Sequence, residues 1–250
     1  MSAGVEVFLA RDEYGVIRVL DDGERRILSF GGDDEQSCAL RSEPWRLQHE
    51  YTRAMVLVLL FCQPRRVLSL GLGAGSLNTL LHRSIPGLKQ HVVELRPSVV
   101  EAARGFFGLP DGKRLTVEVG DAGCYLDGPP ERRVDLLFSD LYGPEGMDDQ
   151  QITERFVERC QVHLKDDGWL VLNCWREHQD SDLINVLSGG FSEIYGCQTP
   201  DGNWILYAGN RPVQLGSRAV RKQLRELEQQ LGFSLSATFK RIRAILYSGD

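Results

Sequence analysis

Three glycines alternate with other residues directly after a short apolar run, between Val67 and Ser76 in the sequence VLSLGLGAGS. Glycine tolerates positive φ angles, so Gly71, Gly73 and Gly75 let the main chain approach a ligand, and the next helix directs its N-terminus at that ligand. The dinucleotide fingerprint has glycine where this chain has Ser76, whereas the G-x-G-x-G form is typical of S-adenosylmethionine-type ligands. The alternative is a turn that serves only close packing of a strand on a helix.

Acidic residues follow the next two apolar runs along the chain. Glu94 comes directly after residues 90–93, where a carboxylate can accept both hydroxyls of a ribose. Asp121 comes after residues 117–120, where a carboxylate can accept an adenine amino hydrogen while the N–H of Ala122 meets a ring nitrogen. Helix N-capping stays open as the alternative for Asp121. Together with the glycine turn, these residues predict a site for an adenosine-containing ligand.

A third acid, Asp140, follows the apolar run 134–138, and Tyr142 stands two residues further on. A carboxylate at this position can attract an ammonium group and take its proton. Helix N-capping does not explain Asp140, because eight residues separate it from the helical segment that begins near Asp148. Trp175 ends the fifth apolar run, and the faces of Tyr142 and Trp175 suit a cationic substrate or a sulfonium. Packing is the alternative role for both aromatic rings.

These residues need a framework that brings their strand ends to one edge. From about residue 49 to 210, strand-like apolar runs alternate with helical patterns, which is typical of a parallel sheet covered on both faces. The predicted strands are 67–71, 90–95, 115–120, 134–139 and 169–174, and the predicted helices lie near 49–62, 76–84, 97–107, 151–164 and 180–188. Two further runs, 191–197 and 204–208, flank a turn and predict a terminal antiparallel hairpin in the same sheet.

This layout predicts an α/β protein with a Rossmann-like class I methyltransferase fold, in which a mostly parallel seven-stranded sheet ends in an antiparallel hairpin. Alternating residues and turn signals predict a small N-terminal β-hairpin domain over residues 1–45. The nucleoside-binding core is predicted over 46–211 and a helical, basic extension over 212–250. Within that extension, residues 217–231 predict an amphipathic helix, and the tail through Arg243 is expected to form a strand or a helix.

Composition narrows the class of protein. The formal net charge is −6, and the last 40 residues carry eight Lys or Arg against three Asp or Glu, so the remainder is acidic and we expect no nucleic acid partner. The longest apolar run, residues 54–62, is nine residues and too short to span a membrane. No export signal is visible at the N-terminus, which predicts a cytoplasmic protein. The six cysteines form no C-x-x-C pair and the five histidines are scattered, so we expect no disulfide framework and no metal site.

The sequence resembles the spermidine synthase family, the polyamine aminopropyltransferases, and especially bacterial spermidine-synthase-like proteins. The resemblance covers roughly residues 25–175. It rests on Gln36-Ser37, the stretch QHEYTRAM from Gln48 to Met55, the segment PRRVL from Pro64, the glycine turn, Val93-Glu94, Gly120-Asp121-Ala122 and Ser139-Asp140.

The resemblance implies a role for each candidate residue. The glycine turn with Ala74, Glu94, Asp121 and Ala122 would hold S-adenosylmethionine or its decarboxylated form, and Asp140 would help to deprotonate the attacking amine. Candidate residues for lining the substrate cleft are Gln36, His49, Tyr51, Tyr142 and Trp175, although the spacing leaves open which of His49, Glu50 and Tyr51 takes which role. The family usually forms dimers, so a homodimer is expected.

Two positions depart from the family pattern. The family's glycine turn reads G-G-G-D-G, and its aspartate approaches the aminopropyl amine of the decarboxylated ligand, whereas this chain has Ala74 there. The family carries a second aspartate three residues after the catalytic one, where this chain has Gly143. The resemblance nevertheless implies a transferase for polyamine-type chemistry that moves an aminopropyl group to an amine acceptor. A methyltransferase acting on another small nucleophile and a non-catalytic nucleoside-binding homologue stay open as alternatives.

Overall fold

The computed structural model describes residues 4–31, 35–180 and 182–245. The N-terminal part is a four-stranded antiparallel sheet with the strands in chain order. Its strands are β1 (Val5–Asp12), β2 (Gly15–Asp22), β3 (Arg25–Ser29) and β4 (Ser37–Leu40). Ile17, Val19 and Leu28 are fully buried, so the predicted alternation of apolar and polar residues gives this sheet one buried face.

The larger sheet has eight strands in the order β14-β12-β13-β11-β8-β5-β6-β7. Six of them run in the same direction, and β13 lies antiparallel between β11 and β12. The bounds are β5 (Arg66–Leu70), β6 (Lys89–Glu94), β7 (Leu115–Val119), β8 (Val134–Ser139), β11 (Leu164–Trp175), β12 (Glu193–Gln198), β13 (Asn203–Gly209) and β14 (Ile242–Ala244). This arrangement confirms the predicted α/β class with a mostly parallel sheet and a terminal hairpin.

The strand count is a correction to the prediction of seven strands. The basic tail, for which strand and helix were both open, contributes β14, which pairs antiparallel with β12. A tail with only three paired residues gives no periodicity that distinguishes a strand from a helix. A separate hairpin, β9 (Tyr142–Gly143) and β10 (Gly146–Met147), follows β8.

Helices cover both faces of the large sheet. They are α1 (Glu50–Val56), α2 (Ser76–Ser84), α3 (Pro97–Phe106), α4 (Ala122–Asp127), α5 (Glu154–His163), α6 (Leu183–Ser188), α7 (Arg218–Leu231) and α8 (Ser236–Phe239), with 3-10 turns over 57–60, 149–152 and 176–180. Helix α4 was not predicted, because six residues that include Gly123 show no helical apolar period. The predicted helix at 180–188 is shorter than expected and begins at Leu183.

The core on one face joins α1 and α7 to the sheet. The hydroxyl of the buried Tyr207 donates a hydrogen bond to the carbonyl of Ala54, with an O–O distance of 2.6 Å. Helix α7 buries Val220, Leu224, Leu227 and Leu231, which recur every three or four residues and therefore form one apolar stripe. The predicted amphipathic helix at 217–231 is confirmed by this packing.

The part of the chain that the structure describes has neither a metal-binding cluster nor a membrane-spanning helix. In the ranges 4–31, 35–180 and 182–245, no group of three or more His, Cys, Asp or Glu side chains is arranged to hold a metal ion. No helix within the same ranges combines the length and the apolar character needed to cross a membrane. All six cysteines are free thiols, so the fold is held by packing rather than by disulfides.

Candidate functional site

The glycine turn joins β5 to α2 and requires glycine for a steric reason. Gly71 has a φ of +90°, and a Cβ atom at this position would overlap the main-chain carbonyl of Asp140. The N–H of Asp140 donates to the carbonyl of Leu70 at 2.9 Å, so the ends of β5 and β8 are held together. Gly75, with a φ of +73°, is the N-cap of α2. Asp140 therefore lies against the first glycine of the turn that leads into α2.

Ser37, on β4 of the N-terminal sheet, closes the other side of the turn. Its Oγ accepts a hydrogen bond from the N–H of Ala74 at 3.3 Å, and a Cβ atom at Gly73 would lie 2.7 Å from the same oxygen. The Ala74 methyl is 2% exposed and belongs to the apolar cluster beneath the N-terminal sheet. The small sheet is thus part of the site.

Glu94 ends β6, and its carboxylate holds the main chain on both sides of the cleft. Oε2 accepts from the N–H of Leu72 at 2.9 Å, and Oε1 accepts from the N–H of Arg96 at 3.0 Å. Burial raises the pKa of Glu94, and the hydrogen bonds from the main chain of Arg96 and Leu72 oppose that rise. Each oxygen keeps a second lone pair, so the carboxylate can still accept hydroxyl groups.

Arg96 connects this loop to the N-terminal sheet. Its guanidinium makes two hydrogen bonds to the carboxylate of Asp12, at 2.8 and 3.0 Å, and one to the carbonyl of Gly15 at 3.0 Å. The side chain of Arg96 is only 4% exposed, and its guanidinium carbon lies 4.9 Å from the ring centre of Phe30. The first hairpin therefore fixes the position of the Glu94 loop.

Asp121 is the N-cap of α4. Its Oδ1 accepts from the N–H of Cys124 at 2.8 Å, so the capping role that the sequence left open is present in the structure. Two exposed apolar side chains lie at the neighbouring strand ends: Leu95 follows Glu94, and Val119 is directly opposite Glu94 in the sheet register. Ala122, which begins α4, is 5% exposed. Exposed apolar residues next to polar acceptors suit the flat ring of a base.

Asp140 follows β8 and is half-buried. Its Oδ1 accepts a hydrogen bond from Nδ2 of Asn173 at 2.7 Å. Burial raises the pKa of Asp140 to about 6, and the hydrogen bond from Asn173 acts in the opposite direction. A carboxylate in this state is ionised at neutral pH but has become more basic, which suits a group that accepts a proton.

Tyr142 and Trp175 form an aromatic wall beside Asp140. Their ring centres are 5.9 Å apart with an angle of 56° between the rings. The hydroxyl of Tyr142 donates to the carbonyl of Asn173 at 3.3 Å, and the Trp175 ring packs on Gly146 of the β9–β10 hairpin. Trp175 is still 36% exposed. The structure thus brings together two aromatic residues that the sequence placed at separate strand ends.

The three residues His49, Glu50 and Tyr51 point to different neighbours. Burial, followed by the nearby charge of Asp140, holds the pKa of Tyr51 well above its ordinary value. The ring of His49 stacks on Tyr51 at 5.4 Å, and its Nε2 lies 3.5 Å from Oε1 of Glu35. Burial lowers the pKa of His49. Glu50 instead accepts hydrogen bonds from Thr238 and Arg241 of the C-terminal extension.

Gln36 precedes β4, and its main-chain N–H donates to the carbonyl of Leu28 at 3.0 Å. Its side chain is half-buried next to Ser37.

Four residues of this region were not predicted from the sequence: Asp12, Arg96, Asn173 and Asn203. Asn173 could have been found from the sequence, because it is the one amide within the apolar run 169–174. Arg96 and Asn203 could not, because their partner residues are distant in sequence.

A separate cavity of about 620 Å³ lies at the opposite edge of the sheet, near the amino ends of β5 and β8. Its lining includes Pro64, Asp135 and Arg211. None of the predicted site residues lines it. They lie instead at the carboxyl ends of the strands, where ligands of doubly wound sheets bind.

The chain is similar in sequence and in fold to known proteins over most of its length. The polyamine aminopropyltransferase of Chromobacterium violaceum is 28% identical over 240 residues, which cover 91% of this chain and 89% of that protein. The crystal structure of a probable spermidine synthase from Corynebacterium glutamicum matches with a TM-score of 0.78 at 21% identity, covering 91% of this chain and 88% of that one. The second match shows a shared fold over almost the whole chain.

The chain is also similar to a second group of proteins, which are methyltransferases. The eEF1A lysine and N-terminal methyltransferase of Xenopus laevis is 27% identical over 221 residues, which cover 80% of this chain but only 32% of that protein.

The model of the spermine/spermidine synthase domain matches residues 47–192, which is more than half of the chain and contains the glycine turn, Glu94, Asp121 and Asp140. The chain belongs to the spermine/spermidine synthase family.

Proposed function

We propose that this protein transfers an aminopropyl group from decarboxylated S-adenosylmethionine to a small amine, with Asp140 as the proton acceptor. One observation carries the proposal: Asp140, whose half-buried carboxylate has a raised pKa, lies with its main-chain carbonyl against Gly71 of the glycine turn. In this proposal Asp140 is the base beside the position where the G-x-G-x-G turn would hold the sulfonium end of the ligand.

The nucleoside end of the ligand would lie along the ends of β6 and β7. In this proposal the second lone pairs of the Glu94 carboxylate accept the ribose hydroxyls. Leu95 and Val119 offer exposed apolar surface for the adenine ring. Asp121 would accept from the adenine amino group with Oδ2, because Oδ1 already caps α4.

The proposed reaction is a displacement at the carbon attached to sulfur. The lone pair of a neutral amine forms a new C–N bond, and the C–S bond breaks so that its electron pair leaves with neutral methylthioadenosine. The amine nitrogen becomes positively charged, and its proton passes to the carboxylate of Asp140. Because the sulfonium is already an activated leaving group, positioning of the two reactants supplies most of the rate enhancement.

The acceptor would lie between Tyr51, Tyr142 and Trp175. The faces of these rings attract a cationic amine, and Glu35 beside His49 adds a carboxylate at the same end of the cleft. A small amine is therefore favoured as acceptor over an acidic molecule. Self-association into a homodimer, which the family resemblance implies, stays a prediction that analytical ultracentrifugation would test.

Methyl transfer from ordinary S-adenosylmethionine is the second candidate function. The observation that favours it is Ala74, which offers no carboxylate to repel the carboxylate of that ligand. The similarity to proteins described as methyltransferases points the same way. A non-catalytic homologue would bind the nucleoside and turn over neither ligand.

The products distinguish these functions in one experiment. Purified protein is incubated with each form of the ligand and a panel of amines, and the nucleoside product is identified by mass spectrometry. Methylthioadenosine with an aminopropylated amine supports the proposal, whereas S-adenosylhomocysteine supports methyl transfer. Asp140→Asn tests the base, and Asp166→Asn is the matched control because Asp166 is 97% exposed at the opposite end of the sheet. Neither product from any acceptor would contradict both functions.

A further inference from the structure

Asn173 is a buried amide at the carboxyl end of β11 and is 1% exposed. Its Nδ2 donates to Oδ1 of Asp140 at 2.7 Å, and its Oδ1 accepts from Nδ2 of Asn203 at 3.0 Å. Its main-chain carbonyl accepts from Nε2 of Gln151 at 3.1 Å and from the hydroxyl of Tyr142 at 3.3 Å. A buried amide with partners at both ends is held in one orientation.

Asn203 supports the orientation of the Asn173 amide that the acceptor-only carboxylate of Asp140 requires. It begins β13 and lies opposite Trp175 in the register with β11. Its main chain is fixed by Thr199, whose Oγ1 accepts from the N–H of Asn203 at 3.1 Å. A carboxylate only accepts hydrogen bonds, so the NH₂ group of Asn173 must face Asp140, and its oxygen then faces the NH₂ group of Asn203. The reverse orientation would bring two acceptors together at Asp140.

We propose that Asn173 is a positioning residue for Asp140, which commits Oδ1 of the carboxylate to a fixed hydrogen bond and leaves Oδ2 to accept the proton of the attacking amine. This inference rests on the proposed function. In the reaction the N–H bond of the newly formed ammonium breaks and an O–H bond forms at Oδ2. The hydrogen bond at Oδ1 also favours the ionised carboxylate against the effect of burial.

Asn173→Leu is the direct test, since leucine keeps the number and branching of the side-chain heavy atoms and removes the donor. The pKa of Asp140 is followed by ¹³C NMR of its carboxyl carbon, with Asp140→Asn used to assign the signal. We expect this pKa to rise by about one pH unit, because a hydrogen bond to the charged form has been lost. The acid limb of the pH–rate profile should move to higher pH by the same amount.

Asn203→Ala is the second variant, and it is exposed enough to tolerate substitution should Asn173→Leu not fold. Without Asn203 the Asn173 amide can rotate, so a smaller shift of the Asp140 titration in the same direction is expected. Asn210→Leu is the matched control: Asn210 follows the other end of β13 and bonds Ser192 and Asp166. Its titration curve for Asp140 should equal that of the unmodified protein.

The NMR titration does not depend on turnover. If neither aminopropyl nor methyl transfer is found, the proposed function fails, while the titration still tests the role of Asn173. An Asp140 titration that is unchanged in the folded variants overturns the inference, even when their melting temperatures fall, because a purely structural role lowers stability without moving this pKa. A change in the Asp140 pKa that is no larger in Asn173→Leu than in the Asn210→Leu control overturns the inference as well.

Discussion

Asp12 and Arg96 are 84 residues apart in sequence and form a partly buried, two-point ion pair, in which Nη2 and Nε of the guanidinium lie 2.8 and 3.0 Å from the two carboxylate oxygens. The main-chain N–H of the same arginine donates to Glu94. The first hairpin of the small sheet is thereby connected through one residue to the loop that would bind the ribose. This connection explains why the N-terminal sheet and the large sheet share one site.

The first prediction concerns this pair. Asp12→Ala leaves the buried guanidinium without its carboxylate, so the free energy of unfolding should fall by about 3 kcal/mol, and methylthioadenosine should bind more weakly. Urea unfolding and calorimetry measure the two effects. Glu6→Ala is the control, because its ion pair with Arg18 is exposed and should contribute less than about 1 kcal/mol. Equal losses in the two variants would contradict the special role of Asp12.

The second prediction concerns the nucleoside. Glu94→Ala should weaken the binding of methylthioadenosine or S-adenosylmethionine by about 1–3 kcal/mol, because it removes a charged acceptor and leaves the N–H of Leu72 and of Arg96 without their partner. Titration calorimetry measures the dissociation constant. Glu118→Gln on β7 is the control, since its side chain is 54% exposed and pairs with His91. Unchanged binding in Glu94→Ala would remove this residue from the site.

The third prediction is a pH dependence with a defined sign. Burial raises the pKa of Asp140 to about 6, so the basic, ionised form predominates above that pH and turnover should fall as the pH drops through 6. Asp140→Asn should reduce turnover by roughly 10²–10⁴-fold with little change in ligand binding. The folded protein binds this proton more tightly than the unfolded chain, so the contribution of Asp140 to stability decreases as the pH rises from about 4 to 6. Full activity of Asp140→Asn would exclude it as the base.

The fourth prediction concerns the choice between the two forms of the ligand. Ala74→Asp should increase the preference for decarboxylated over ordinary S-adenosylmethionine by about tenfold or more, because the new carboxylate repels that of the ordinary ligand. It should also lower stability, since the Ala74 side chain is 2% exposed among apolar residues. Ala74→Asn separates charge from size. An unmodified protein that already rejects ordinary S-adenosylmethionine about a hundredfold would show that Ala74 does not set this preference.

The fifth prediction concerns the acceptor. A Cβ atom at Gly143 meets nothing within 4 Å, so the position has room for a side chain, and Gly143→Asp adds a carboxylate three residues after Asp140. The unmodified protein should use putrescine poorly, and the variant should lower the KM for putrescine by about tenfold, since a charged hydrogen bond is added. Gly143→Asn serves as the neutral control in the same steady-state assay. Efficient putrescine turnover by the unmodified protein would show that the missing acid carries no functional weight.

Local sequence patterns were sufficient to predict the strands, the turns and the strand-end acids of this protein. The apolar runs were long and regular enough to predict the parallel strands, and the positive φ angles of Gly71, Gly73 and Gly75 follow from the residue type and the tight turn. Glu94, Asp121 and Asp140 were predicted at strand ends because a parallel sheet brings those ends to one edge. The sequence also indicated the small antiparallel sheet before the core, through alternation around glycine turns.

The partners of these residues were decided only by tertiary structure. Asp140 bonds Asn173 because β8 and β11 are neighbours in the sheet, and Asn173 meets Asn203 because β13 inserts antiparallel beside β11. Asp12 meets Arg96 only when the two sheets pack together. A side-chain contact between distant residues depends on strand order and on the orientation of packed layers, whereas periodicity reports only which face of an element is apolar.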